Sequence, residues 1–517
     1  MMNKPATCAQ FGFSAIMGLA IALASPVVSA QSYPPPPSGC PTQNWATTVL
    51  PTFNKPASTI PTAAPGTFCE FNQTTFEAFV WATTMINGVP RFLTLKTPDQ
   101  LNTSPGMTTP FTAPATPKKD GVRLSLGTRV HASVAGQPEG AGAIVEADGN
   151  MLVGPNGYPI YASVHMNDNY FNTAQQNLIV TGGYTNNPNQ AANFNVGAAV
   201  FKATWLRLGN GVNAPVGSYT TTASVPVLKE NKDHVVVPDG DTTKLVKVAL
   251  VGLHVVVRTE QHPEFLWGSF EHYQNAPMVP GAYNPDGSNP NNFTLYTKNT
   301  LYKNTNVVNL SNGALPASNQ KAAFDYASQT FSNAGTSVAQ LNPTGGDTSG
   351  TVTPVTVAGQ AYLNKQHSNF ANYVMLGTVW FQPDSYVSPS PVGCGTGPKP
   401  TLTACNAGAP QGVGSVNLAN STAETFDQMP QNAFGQKVNN CFSCHNAGAY
   451  TFQTPALPYR LIATSHVLSQ GCATVYGVPN QVILAGGAVP TPFPCNIPPT
   501  PAPVQAPASN VAPHLRK

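Results

Sequence analysis

Hydrophobic positions along this chain follow two rhythms. Between residues 122 and 380 they come in short runs that alternate with small or polar residues, the period-two pattern of half-buried strands. Residues 198–206 carry Val200, Phe201, Trp205 and Leu206 in this pattern. Residues 245–257 form a long Val-rich run, 265–270 follow His262-Pro263, and 373–381 make another strand-like stretch. Asn156-Gly157 separates the apolar stretches 151–153 and 158–164, as a turn would. Helical spacing is clearest earlier. Phe76, Phe79, Val80 and Met85, with Trp81 adjoining, predict a helix over 74–85 that Asn87-Gly88 ends. These elements predict an α+β fold, mainly β, whose body is a strand-rich sandwich or barrel. No repeat of fixed period is present.

Outside that body the pattern breaks down. Residues 31–60 and 102–118 are rich in Pro or Thr and predict extended, poorly packed chain around the one helix. Residues 383–414 are rich in Pro and Gly. Ser421-Thr422-Ala423-Glu424 has the form of a capping box, so a short helix is expected near Thr422, stopped before Pro430. A second short helix is expected over 459–468, after Pro458. The expected organisation is a signal peptide (1–30), a Pro-rich segment with one helix (31–118), a strand-rich body (119–382), a loop-rich C-terminal region with short helices (383–496) and a disordered Pro/Ala-rich tail (497–517).

Composition sharpens this picture. Charged residues make up 9% of the 517, far below the roughly 25% of ordinary soluble domains. Gly, Pro, Asn, Thr and Ser fill the gap and favour strands, turns and long loops. Net charge is +3 with no basic run, which argues against nucleic acid as a partner. The apolar run 11–24, broken by Ser25-Pro26 and followed by Val28-Ser29-Ala30, reads as a cleavable export signal, with an uncleaved anchor as the alternative. No later stretch has the roughly 18 consecutive apolar residues of a membrane helix, so the expected product is periplasmic or secreted. In that compartment Cys40, Cys69, Cys394, Cys405, Cys472 and Cys495 suggest disulfides. Pairing by proximity is one of fifteen possible connectivities.

The most specific chemistry lies at Cys441-Phe442-Ser443-Cys444-His445. Two thiols two residues apart, followed by histidine, are what covalent attachment of c-type haem requires. Each thiol forms a thioether with a haem vinyl group, and the histidine becomes an axial iron ligand. Composition predicts about 0.003 chance occurrences of this pattern in the chain. A zinc site would need a second Cys/His pair at matching spacing, and none is present. The pattern occurs once, so one covalent haem c is expected. No Met follows Met429, which departs from small cytochromes whose ligand methionine lies downstream. His466, 21 residues after His445 on an apolar segment, is the first choice for the sixth ligand. Met429, a histidine of the body and an open site remain alternatives.

One further cluster stands out in a chain so poor in charge. His254, Arg258, Glu260, His262, Glu271 and His272 fall within nineteen residues on two adjacent predicted strands. They suit a substrate or partner site, a haem-propionate contact, or the polar face of a sheet. His165 with Asn167 and Asp168, and His367, read as loop or turn residues. No serine-hydrolase elbow, nucleotide-binding glycine loop or zinc-protease helix is present.

The five residues at 441–445 resemble the attachment site of c-type cytochromes. More of the chain is similar to uncharacterised secreted bacterial proteins of the cytochrome c family. The likeness lies in Phe76-Glu77-Ala78-Phe79-Val80-Trp81, Lys202-Ala203-Thr204-Trp205, Gly252-Leu253-His254-Val255-Val256, Trp267-Gly268-Ser269-Phe270-Glu271-His272, Glu424-Thr425-Phe426 and Ser465-His466. The resemblance implies a periplasmic or secreted monohaem protein and no particular substrate. Electron transfer to a redox partner protein through a low-spin haem is the expected function. A haem-dependent oxidoreductase or sensor, and a secreted binding module with structural haem, are the alternatives.

Overall fold

The computed structural model describes residues 60–97, 151–181, 193–232, 235–279, 284–307, 323–332, 337–341, 350–381 and 412–428 with short gaps, strand pairs at 124–125 and 482–483, and Cys441. Its centre is one nine-stranded sheet. The strands are β1 (Leu124–Ser125), β2 (Tyr161–Met166), β3 (Ala199–Arg207), β4 (Thr220–Glu230), β5 (Val235–Thr259), β6 (His262–His272), β7 (Tyr373–Phe381), β8 (Gly412–Gly414) and β9 (Val482–Ile483). The main path runs β8-β7-β6-β5-β3-β2, and every neighbour on it is antiparallel.

The 25-residue β5 is the spine. Its C-terminal half lies between β6 and β3, and its N-terminal half pairs with β4 and β9. The sequence predicts only 245–257 of it. β4 pairs on either side of an irregularity, Leu228 with Pro238 and Pro226 with Thr243, and the register shift leaves 239–242 without partners in that ladder. Among the described residues the outer strands β2 and β8 do not pair, so the sheet is open. The fold is α+β and mainly β, and the barrel form of the prediction is not adopted.

Helix α1 (Phe68–Thr83) begins six residues before its predicted start at 74. Thr67 and Glu70 explain this: Glu70 N–H donates to Thr67 Oγ1 at 3.3 Å, and Thr67 N–H donates to Glu70 Oε2 at 3.1 Å, a reciprocal cap. Met85 falls in a hairpin rather than the helix, with Asn87-Gly88 as its two-residue turn. Helices α2 (Asp168–Thr181) and α3 (Val352–Lys365) were not expected from the sequence. Asn167 caps α2 by accepting from Tyr170 N–H at 2.9 Å. The β-branched residues, Pro354 and Gly359 of α3 disfavour a helix locally. Pro354 is tolerated because it sits in the first turn, and packing does the rest. A Cβ at Gly359 would meet the ring of Phe76, so only glycine lets α3 approach α1 this closely.

Both helices cover one face of the sheet. Phe79 stacks on Phe270 with ring centroids 4.1 Å apart, Phe71 on Trp380 at 3.9 Å and Trp81 on Phe201 at 5.7 Å. Leu253, Val255 and Val257 of β5 complete this core. His165 lies in β2, not in a loop. Every residue of β2 is buried, His165 included, with Nε2 2.9 Å from Ser163 Oγ, which also accepts from Trp205 Nε1–H at 2.9 Å. Burial pushes His165 down to about 3. His367 does lie in the turn after α3, at φ +52°.

Cys69 is disulfide-bonded, and its partner lies outside the described residues. The signal segment, the other five paired-cysteine candidates, the 459–468 helix and the C-terminal tail also fall outside them. Among the described residues no helix is long and apolar enough to cross a membrane.

Candidate functional site

The second face of the sheet carries a polar patch beside a small apolar cluster that includes Leu206 and Val251. Alternation along β5 points Gly252 and His254 away from the helical core, and register sets Lys202 opposite His254, Ser269 beside it, and Glu271 beside Gly252. A strap formed by residues 418–425 lies on this face. Its residues are irregular chain and turn up to Glu424, with 3-10 helix at Thr425, so regular helix does not begin at Thr422 as expected. Asn420 shapes the turn. Its O accepts from Glu424 N–H at 3.0 Å, and its Oδ1 accepts from Thr422 N–H at 2.9 Å and Thr422 Oγ1–H at 2.7 Å, in the manner of an N-cap. Its Nδ2 donates across the interface to Ser269 Oγ at 3.0 Å and Phe270 O at 3.1 Å.

Gly252 makes this docking possible. A Cβ there would lie 2.5 Å from both Thr204 Oγ1 and Thr422 Oγ1 and 3.0 Å from Asn420 Oδ1. With only hydrogen in the way, the two threonine hydroxyls meet at 2.6 Å. Further bonds tie the strap at its flanks. Asn306 Nδ2 donates to Thr425 O at 2.7 Å, Gln340 Nε2 to Ala419 O at 3.0 Å, and Leu341 N–H to Gln428 Oε1 at 2.8 Å. Asn420, Ser421, Thr422 and Thr425 are fully buried, and their side-chain polar groups are hydrogen-bonded as buried polar groups require.

Two carboxyl groups in this layer have opposite electrostatics. Glu424 is held below its usual range. Burial works against that, but the nearby His254, Lys202 and a bond from Asn420 N–H at 2.9 Å outweigh it. His254 Nε2 stands 3.1 Å from Glu424 Oε1, without the geometry of a hydrogen bond. Glu271 is pushed up to about 7, chiefly by burial, with the charge of Glu424 adding to it. Glu271 Oε2 accepts from Ser421 Oγ–H and from Asn275 Nδ2–H, the latter at 3.4 Å, while Oε1 has no hydrogen-bond partner.

The predicted cluster is therefore split. His254 and Glu271 share the polar face. His272 points to the opposite face, against Tyr373, with Nε2 3.1 Å from Val216 O and Nδ1 accepting from Gln274 N–H at 3.2 Å. Burial lowers it to about 4, and both nitrogens are committed, so it is a structural histidine. His262 is 2.9 Å from Glu264 near the β5–β6 turn, Arg258 is half-buried and joined through its backbone to Ala198 and Gly197, and Glu260 is exposed. Sequence reasoning overlooked Asn420 and Ser421 as partners of β6. The available signal was Asn-Ser-Thr next to a rare Glu, which reads equally well as a helix start.

Of the haem-attachment residues, Cys441 is described. It is half-buried and in helical conformation. By residue type, the two thiols suit thioether bonds to haem vinyl groups and the imidazole suits the iron. Cys444, His445, Met429 and His466 lie outside the described residues. Among the described residues no three His, Cys, Asp or Glu side chains converge as a metal site. No protein-family model, curated protein or solved structure matches the chain.

Proposed function

We propose that this protein is an exported, monohaem c-type cytochrome that passes single electrons to a redox partner protein. The observation that carries the reading is Cys441-x-x-Cys444-His445 in a chain that opens with an export-type signal. Cys441 and Cys444 would hold the haem by thioethers, His445 would be one axial ligand and His466 the other. When bound, such a haem supplies a one-electron ferric/ferrous couple. The chain's own contribution is to fix the imidazoles, exclude water and set the dielectric around the group. His254 is engaged with Glu424 and His272 with backbone, which leaves His466 favoured over these two histidines of the body.

The test is spectroscopic. Protein purified from an export-competent, haem-maturing host should keep its haem through denaturation and show one c-type haem per chain. Its ferrous form should not bind CO. Replacing His466→Ala should convert the iron to high spin and admit CO. Absence of covalent haem would overturn the reading. Rapid CO binding by the unaltered protein would replace electron transfer with a haem-dependent oxidoreductase or sensor.

A further inference from the structure

Glu271 occupies an unusual position for a carboxyl group. It sits on the polar face of β6 beneath the strap, 3% exposed. One oxygen serves Ser421 and Asn275, and the other has no partner. No cation contacts it. The charged group that acts on it is Glu424 from the strap; His254 of β5 stands against Glu424, and the charge of Lys202 of β3 favours ionised Glu424. An ionised Glu271 would therefore carry a buried charge with only one oxygen hydrogen-bonded, beside a second carboxylate, with no route to water except displacement of the strap. A neutral Glu271 removes that conflict and still accepts from Ser421.

We propose that Glu271 is a proton-controlled latch: protonated, it lets the 418–425 strap close on the sheet, and its ionisation loosens the strap. Beyond the strap, Gln428 is the described residue that precedes Cys441 most closely in sequence. The inference does not depend on whether haem is bound.

The sign follows from linkage. The closed strap keeps Glu271 protonated up to about 7, whereas a carboxyl released to water has a value of 4.5. The closed state thus holds one more proton between these values, and opening becomes easier as pH rises from 4.5 to 7. Above about 7 both states are ionised and the effect levels off. The gap corresponds to an open population greater by on the order of a hundredfold at about pH 8 than at about pH 4.5.

Hydrogen exchange of residues 415–428 in the full-length protein, corrected for the intrinsic pH dependence of exchange, reads this directly. The opening constant should rise across that window and then plateau. In Glu271→Gln, an isostere of the neutral acid, it should stay flat at the low-pH level. A flat profile in the unaltered protein, or an unchanged slope in Glu271→Gln, would overturn the latch. Should Glu271→Gln not fold, infrared spectra of Glu77→Gln decide the matter. Glu77 is also raised to about 7 by burial and must be removed from the signal. A protonated-carboxyl band at about pH 6 that vanishes by about pH 9 supports the latch. Its absence at the lower pH overturns it.

Discussion

The two faces of the sheet solve the same problem, covering a strand surface, with opposite means. On one face α1 and α3 bury Leu253, Val255, Val257 and Phe270 under aromatic rings. On the other, the strap covers Gly252, His254, Ser269 and Glu271 with side-chain hydrogen bonds. Both faces belong to the same residues of β5 and β6, one position apart. Apolar burial is non-directional and tolerant of exact partners. A polar face is stable only when a particular partner satisfies it, since each unpaired buried group costs about 1–3 kcal/mol. The helical face therefore supplies stability, and the strap face supplies specificity and a place where a proton can matter.

The largest expected effect breaks the helical face. Phe79 is fully buried and stacked on Phe270. Phe79→Ala should cost about 3–5 kcal/mol of stability by lost burial and the cavity left behind. Chemical denaturation checks the value. The loss should be global: α1, the sheet and the strap should unfold at one lower midpoint.

A smaller and more local effect should follow Gly252→Ala. The new methyl would press on Thr204 and Thr422 without touching the helical core. A loss of about 1–3 kcal/mol is expected, as for other overpacked sites. Hydrogen exchange should rise in 415–428 well before it rises in α1. Equal loss of protection on both faces would show that the faces are not separable.

The contrast between the faces also explains what the sequence revealed. Period-two alternation exposed β3, β6 and β7, and helical spacing exposed one aromatic helix, because each of these patterns is local. α3 stayed hidden because Pro354 and Gly359 are adverse in isolation and acceptable only against Phe76 and in the first turn. On the polar face, His254 and Glu271 were visible as charge in a charge-poor chain. Their partners were not, since Ser421 lies 150 residues from Glu271 and Asn420 151 residues from Ser269. No local pattern encodes that pairing. The orientation of His272 was hidden for a simpler reason: neighbours on a strand point to opposite faces, so a cluster in sequence is divided by the sheet.

The smallest effects compare the faces atom by atom. Each has one buried pair of threonine hydroxyls at 2.6 Å: Thr75 with Thr378 on the helical face, Thr204 with Thr422 on the strap face. Donors can be assigned in both. Thr422 gives its hydrogen to Asn420 Oδ1, so Thr204 donates to Thr422. Thr75 gives its hydrogen to the carbonyls of Phe71 and Asn72, so Thr378 donates to Thr75. Removing the donating hydroxyl, in Thr204→Val or Thr378→Val, strands no hydrogen and should cost only about 0.5–1 kcal/mol. Removing the accepting hydroxyl, in Thr75→Val or Thr422→Val, leaves a buried O–H without an acceptor and should cost about 1–3 kcal/mol. Thr422→Val should be the costlier of these two. It also takes a donor from Asn420 Oδ1, the atom that shapes the strap, whereas the carbonyls bonded by Thr75 belong to a helix that satisfies its own backbone. Denaturant midpoints of the four variants give the order. If Thr204→Val proved as costly as Thr422→Val, the donor assignment on the strap face would be wrong, and with it the orientation of Asn420 that docks the strap on Ser269.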